Sequence, residues 1–128
     1  MNITTKNIQA KKKALVRLAC QIVHARDHRC QLCGRCDGKM DAAHVIPRSR
    51  GWRWAVDLRN IVKLCYRCHT RWHEDPIWAT MALAETRHDT TEYVAHAHHK
   101  TGTVTVTEAT AKMRELNAAA EHHGIKGL

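Results

Sequence analysis

Residues 61–73 read IVKLCYRCHTRWH, and this stretch decides the fold because it joins an apolar run, paired cysteines and two spaced histidines. The apolar, β-branched residues 61–64 predict a strand. Residues 66–73 predict a short helix that ends before a proline. His69 and His73 occupy positions i and i+4 of that helix, so their imidazoles share one face and can chelate one ion.

A second cysteine cluster lies upstream, where residues 30–36 read CQLCGRC. Two C-x2-C clusters well apart, in a chain with no secretion signal, predict a tetrahedral zinc site rather than disulfides. Gly34 suits the tight turn between such ligands. A structural Zn²⁺ can contribute on the order of 10 kcal/mol to folding, which would compensate for a core that contains no Phe. We assign four ligands: Cys30, Cys33, Cys65 and Cys68. Cys36 is either not a ligand or takes the place of Cys30.

The composition favours one small basic domain. The chain has 128 residues, with 21 Lys and Arg against 12 Asp and Glu, a formal net charge of +9. The positive excess lies in residues 1–74, and this asymmetry favours a polyanionic partner, most simply nucleic acid. No apolar run approaches the roughly 18 residues of a membrane span, and the polar start is unlike a signal peptide. We therefore expect neither a membrane protein nor a secreted one.

The pattern predicts three segments of one compact domain. Residues 1–27 hold an amphipathic basic helix from Thr5 to about His24, residues 28–75 hold the cysteines and histidines, and residues 76–128 form a helical extension. Two S/T/D-x-x-E patterns predict capping boxes, at Asp89–Glu92 and Thr105–Glu108. The remaining predicted elements are strands at 40–46 and 61–64, a basic loop at 48–60, and helices at 66–73, 77–87, 90–99 and 105–122.

Three short motifs occur in order between residues 43 and 69: AHVIP at 43–47, DLRN at 57–60 and LCYRCH at 64–69. Together with the flanking cysteine pairs, they resemble the zinc-bearing branch of the HNH endonucleases over about residues 28 to 74. Residues 48–54, RSRGWRW, resemble small phage-encoded members. The resemblance implies an α+β fold: a small ββα-metal core with a four-cysteine zinc site, flanked by N- and C-terminal helices. It also implies a cytoplasmic location, in a bacterial or phage-infected host cell.

The resemblance implies a role for each matching residue. His44 matches the general base that activates water, a task suited to imidazole, and Asn60 matches the residue that orients it. His69 and His73 match ligands of a catalytic divalent ion, Mg²⁺, Mn²⁺, Ni²⁺ or Zn²⁺. The implied activity is metal-dependent hydrolysis of DNA phosphodiester bonds, with a homodimer as one way to cut both strands. Phosphate oxygens would be held by Arg48, Arg50 and Arg53.

One position departs from the family pattern. Ala43 stands where the family usually has a metal ligand, and we expect Asp41, two residues back on the same strand face, to replace it. The departure keeps open a zinc-stabilised nucleic-acid-binding module that has lost cleavage, and a structural zinc protein that binds another protein. Trp52 and Trp54 are predicted either to stack on bases or simply to pack.

Overall fold

The computed structural model describes residues 5–128, so residues 1–4 of the predicted 1–27 segment lie outside the described residues. It is a mixed α+β structure, which confirms the predicted fold class. Among residues 5–128, no helix has the length and apolar character to cross a bilayer. The elements are α1 (Thr5–Arg26), β1 (Met40–His44), α2 (Trp52–Ala55), β2 (Ile61–Cys65), α3 (Tyr66–Glu74), α4 (Pro76–Thr86), α5 (His88–Ala97) and α6 (Val106–His122).

The centre of the molecule is an antiparallel hairpin followed directly by α3. β1 and β2 pair in a register that sets Asp41 opposite Leu64 and His44 opposite Ile61. Alternation along the strands buries Val62 and Leu64 against Ala43, where they form an apolar floor beneath α3. This ββα unit brings the end of β1 beside the helix that carries the paired histidines.

A second core holds the two ends of the chain against the hairpin. Leu15 and Ile22 of α1 pack with Leu116 of α6 and with Ile61 of β2, and all four are buried. Polar contacts fix the end of α1, because Arg26 donates to the carbonyls of Leu58 and Ile61. The flanking helices and the hairpin therefore share one packed interior.

The structure corrects several local predictions. β1 ends at His44 rather than at residue 46, and the predicted loop 48–60 contains α2 and two 3₁₀ turns. The capping box at Asp89 is wrong: α5 begins at His88 without a side-chain cap, and the Asp89 carboxylate instead pairs with Arg87. The capping box of Thr105 and Glu108 is confirmed, with both of its hydrogen bonds present.

Both tryptophans of the 48–60 segment pack rather than project. Trp54 is 1% exposed, inside a small cluster with Ile46 and Ala97. The indole N–H of Trp52 donates to the Lys12 carbonyl at 3.3 Å, and its ring packs on the α1–α6 core. The base-stacking alternative is therefore wrong for Trp54, whose ring no base can reach.

Candidate active site and metal centre

The four assigned cysteines come together where the hairpin meets α3. The ligand atoms of Cys30, Cys33, Cys65 and Cys68 all lie within 4.8 Å of one another. A tetrahedral Zn²⁺ with Zn–S bonds of about 2.3 Å separates two sulfurs by about 3.8 Å. The sulfurs of Cys33 and Cys65 are 3.7 Å apart, so the spacing fits such an ion. Cys36 is exposed, and its sulfur faces the Gly34 carbonyl rather than this cluster.

Backbone geometry prepares these thiols for a cation. Gly34 adopts a φ of 80°, and its N–H donates to the Cys30 carbonyl, which closes the first turn. Burial acts to raise the pKa of Cys30, but amide donors from Cys33, Cys65 and Leu32 outweigh it and lower that pKa to about 7. Burial and neighbouring thiols raise the pKa of Cys68. Four thiolates would repel one another without a cation, so the cluster is positioned to bind a metal ion.

The second candidate ion site is the imidazole pair on α3. The Nε2 atoms of His69 and His73 are 3.3 Å apart. A tetrahedral ion with metal–nitrogen bonds of 2.0–2.1 Å separates two nitrogens by about 3.3 Å, so this spacing also fits. The other nitrogen of His69, Nδ1, lies 2.9 Å from the Asp41 carboxylate. A donated Nδ1–H fixes the tautomer in which Nε2 carries the lone pair.

The Asp41 carboxylate therefore contacts the side of the His69 ring opposite the nitrogen that is free to bind an ion, and it orients the ring. Among residues 5–128, the only group of three or more His, Cys, Asp or Glu ligand atoms close enough to share an ion is the cysteine cluster. The imidazole pair thus has no third side-chain ligand of these types beside it. Ala43 is 2% exposed and packs with Val62 and Leu64.

His44 lies at the end of β1 with one ring nitrogen engaged. Its Nε2 is 3.0 Å from the carbonyl oxygen of Ala55, the last residue of α2. A carbonyl only accepts, so Nε2 carries the proton and Nδ1 of the neutral ring is left as a base. Burial lowers the pKa of His44, with smaller lowering effects of Arg48 and His69, against the raising effect of the Ala55 carbonyl. The neutral, basic form of this imidazole is therefore favoured.

Asn60 connects the two segments that hold His44. Its side chain is fully buried, and its amide donates to the carbonyls of Ile46 at 2.9 Å and Trp54 at 3.0 Å. Its oxygen accepts from the N–H of Ile46 at 2.7 Å. Ile46 lies two residues after His44, and Trp54 lies one residue before Ala55. The side chain of Asn60 therefore joins the segment that follows His44 to the residue that precedes Ala55.

Three histidines and one arginine line one open cleft of about 540 Å³: His44, His69, His73 and Arg48. His44 comes from β1, His69 and His73 come from α3, and Arg48 follows β1 on the rim. Trp72 of α3 also lines the cleft.

The three predicted phosphate-binding arginines occupy different surroundings. Arg48 lines the cleft. Arg50 donates to the His98 carbonyl at 3.3 Å. Arg53 is paired with Glu108 at 2.7 Å and also donates to the Thr101 carbonyl. Arg53 thus anchors the C-terminal extension, and Arg48 is the one of the three that faces the cleft.

Two parts of the arrangement were absent from the sequence-based prediction. The first is the Ala55 carbonyl, which no residue type encodes. The second is Asp57, which is 5% exposed. It caps the turn before Asn60 by accepting from the Arg59 N–H, and it accepts a short hydrogen bond from the Tyr93 hydroxyl. A D-x-x-N spacing before a strand was the available signal for this cap.

Comparisons with known proteins agree with the geometry. A family model described as HNH endonuclease matches residues 30–75. Anaredoxin of Nostoc sp. (strain PCC 7120 / SAG 25.82 / UTEX 2576) is 32% identical over 54 residues, which cover 42% of this chain and 68% of that protein. No solved structure matches the chain. With its cysteine cluster and its ββα unit inside the matched residues, the chain belongs to the HNH endonuclease family.

Proposed function

We propose that the protein is a divalent-metal-dependent endonuclease that hydrolyses DNA phosphodiester bonds with His44 as the general base. Membership of the HNH family indicates a nuclease or nucleic-acid-binding function. The observation that carries the finer proposal is the setting of His44. Its imidazole is oriented by the Ala55 carbonyl and opens into the cleft that holds His69 and His73.

The chain's own groups account for the proton in the proposed reaction. Nδ1 of His44 takes a proton from water as the water oxygen forms a bond to phosphorus, and the ester bond on the opposite side of phosphorus breaks. The leaving oxygen departs with the electron pair of that bond and takes a proton from solvent water. The imidazolium that forms keeps its Nε2–H on the Ala55 carbonyl, which stabilises the positive charge. Asn60 donates to the carbonyl of Trp54, the residue before Ala55, and so helps to hold this segment in position. The guanidinium of Arg48 suits a non-bridging phosphate oxygen at the rim.

The donor atoms favour different ions at the two sites. We assign a structural Zn²⁺ to the four thiols, and a catalytic divalent ion to His69 and His73. When bound, the catalytic ion would stabilise negative charge on the phosphate and on the leaving oxygen. Two imidazoles suit Ni²⁺ or Zn²⁺ better than Mg²⁺ or Mn²⁺, which prefer oxygen ligands. Asp41 contributes by orienting His69 through the hydrogen bond at Nδ1.

Three broader features of the proposal follow from charge and chemistry. The basic first part of the chain is suited to the DNA backbone. One cleft per chain cuts one strand at a time, so a homodimer is one route to a double-strand break. A cytoplasmic location is proposed because free thiols arranged for a metal persist in a reducing compartment.

The test is nicking of supercoiled plasmid with Mg²⁺, Mn²⁺, Ni²⁺ and Zn²⁺ supplied separately. We expect Ni²⁺ or Zn²⁺ to support the fastest nicking, and His44→Ala to slow it roughly 10²- to 10⁴-fold. His123→Ala, which removes an imidazole from the end of α6, is the matched control and should leave the rate unchanged. Equal rates for wild type and His44→Ala would refute the proposed role of His44.

A second candidate function is nucleic-acid binding without cleavage. The observation that favours it is Ala43, which leaves the imidazole pair without the usual neighbouring ligand. This alternative predicts salt-sensitive DNA binding with no nicking in any of the four metals. Retention of wild-type binding by His44→Ala would not separate the two functions, so the plasmid assay is the deciding measurement.

A further inference from the structure

A second concave surface lies beside the cysteine cluster, away from the described cleft. We call it the knuckle patch and define it by Arg35, Lys39, Tyr66 and Arg67, which line a depression of about 490 Å³. All four side chains are exposed. Within the patch only Arg35 has an acidic partner, Asp37 at 2.9 Å. Asp37 lines the same depression, so the three basic side chains outnumber the one acidic side chain, and the surface is positively charged with one exposed aromatic ring.

The aromatic ring of the patch, that of Tyr66, lies on the protein surface. Tyr66 is 56% exposed and is the first residue of α3. The Lys39 ammonium lies 5.0 Å from the ring centroid, and the Tyr66 N–H donates to the Lys39 carbonyl at 3.0 Å. The cation and the ring are thus fixed relative to each other by the backbone.

The knuckle patch and the cleft are connected along one face of α3. Tyr66 and His73 are seven residues apart, which is 700° of rotation, so they differ in direction by about 20°. The same seven residues rise about 10 Å along the helix axis. That distance corresponds to roughly three steps of 3.4 Å in a duplex strand. A strand that lies in the cleft can therefore continue over Tyr66.

We propose that the knuckle patch is a second nucleic-acid contact, which binds the strand within about three nucleotides of the scissile phosphate. Lys39 and Arg67 contact backbone phosphates, and the open face of Tyr66 stacks on an unpaired or end base. The proposal rests on the proposed function for the class of partner. It adds a substrate preference, because a ring that stacks on a base favours single-stranded or frayed DNA over an intact duplex.

The test is DNA binding by fluorescence anisotropy, with labelled single-stranded and duplex oligonucleotides of one sequence. All proteins carry His44→Ala so that the substrate stays intact, and their zinc content is measured so that an unfolded variant is recognised. Lys39→Ala/Arg67→Ala should lower the slope of log affinity against log salt by about 1.4 on the single strand. Arg114→Ala/Lys126→Ala is the matched control near the C-terminus and should keep the wild-type slope.

The aromatic contribution is tested on the same oligonucleotides. Tyr66→Leu should weaken single-strand binding by about tenfold and duplex binding much less, whereas Tyr66→Phe keeps the ring and should bind as wild type. Zinc-loaded knuckle-patch variants that bind both DNAs like wild type would overturn the inference. Binding of an acidic peptide in preference to DNA at the patch would also overturn it. Loss of DNA affinity in these variants would support it even if the wild-type protein never nicks plasmid.

Discussion

Replacement of Asn60 by alanine should destabilise the protein more than any exposed polar substitution. The side chain is fully buried and makes three hydrogen bonds to backbone groups of Ile46 and Trp54. Asn60→Ala leaves those three groups without this partner, and each buried group left unpaired costs about 1–3 kcal/mol. Partial entry of water offsets some of this cost, so we expect a loss of about 4 kcal/mol in the free energy of unfolding.

The assay is urea denaturation at a fixed concentration of free Zn²⁺, because ligand binding shifts apparent stability. Asn117→Ala is the matched control. Asn117 also makes paired hydrogen bonds, with the N–H and carbonyl of Leu128, but on the exposed surface. We expect the control to lose less than about 1 kcal/mol.

The same substitution should reduce catalysis through His44. If Asn60 acts by holding the Trp54–Ala55 segment that orients His44, Asn60→Ala should slow nicking strongly at a temperature where the variant is still folded. It should have little further effect in a His44→Ala background, since the two residues act as a unit. A stability loss below 1 kcal/mol, or independent effects of the two substitutions on the rate, would refute this reasoning.

Three further predictions concern the ion sites and the base. The pKa of His44 is lowered chiefly by burial and further by Arg48, so the acid limb of the pH–rate profile should have its midpoint below 6.5, and Arg48→Ala should move it upward. The unfolded state binds more protons there, so His44 should make the fold less stable as pH falls below 6.5, which denaturation at several pH values would measure. Cys33→Ser should lose the bound zinc and the fold, whereas Cys36→Ser should keep both, as elemental analysis and circular dichroism would show. Asp41→Ala should weaken catalytic-ion binding roughly 10- to 100-fold in a calorimetric titration, whereas an unchanged affinity would show that Asp41 does not orient His69.

The regular elements were predictable because their signals are local. α1 follows an amphipathic pattern, and α6 begins at the capping box of Thr105 and Glu108. α2 was not predicted, since four residues show no helical period. Long-range contacts support it instead, among them the Arg53 N–H to the Gly102 carbonyl at 3.1 Å. Gly102 permits this approach, because a Cβ there would lie 1.8 Å from the Arg50 carbonyl oxygen.

The sequence was enough to predict which side chains belong to the candidate site. It was not enough to predict the groups to which those side chains form hydrogen bonds. Motif spacing identified His44, Asn60 and His69, because each residue type carries its own chemistry. Every residue has a backbone carbonyl, so the sequence does not distinguish the carbonyl of Ala55 from the others. Only the folded backbone shows that this carbonyl faces His44. The hydrogen bond from His69 to Asp41 depends on how α3 packs on β1, which strand alternation alone does not specify.

In the proposed function, α3 serves two separate ion sites, one made of thiols and one made of imidazoles. Their separation is tested most directly by titrating Ni²⁺ into zinc-loaded protein with His69→Ala/His73→Ala, beside wild type and the control His122→Ala/His123→Ala. The control removes an equally close imidazole pair, with ring centroids 5.1 Å apart against 4.9 Å. We expect that only His69→Ala/His73→Ala loses the tightest Ni²⁺ site while its zinc content stays that of wild type. Unchanged Ni²⁺ binding in that variant, or loss of its zinc together with the Ni²⁺ site, would contradict the proposal.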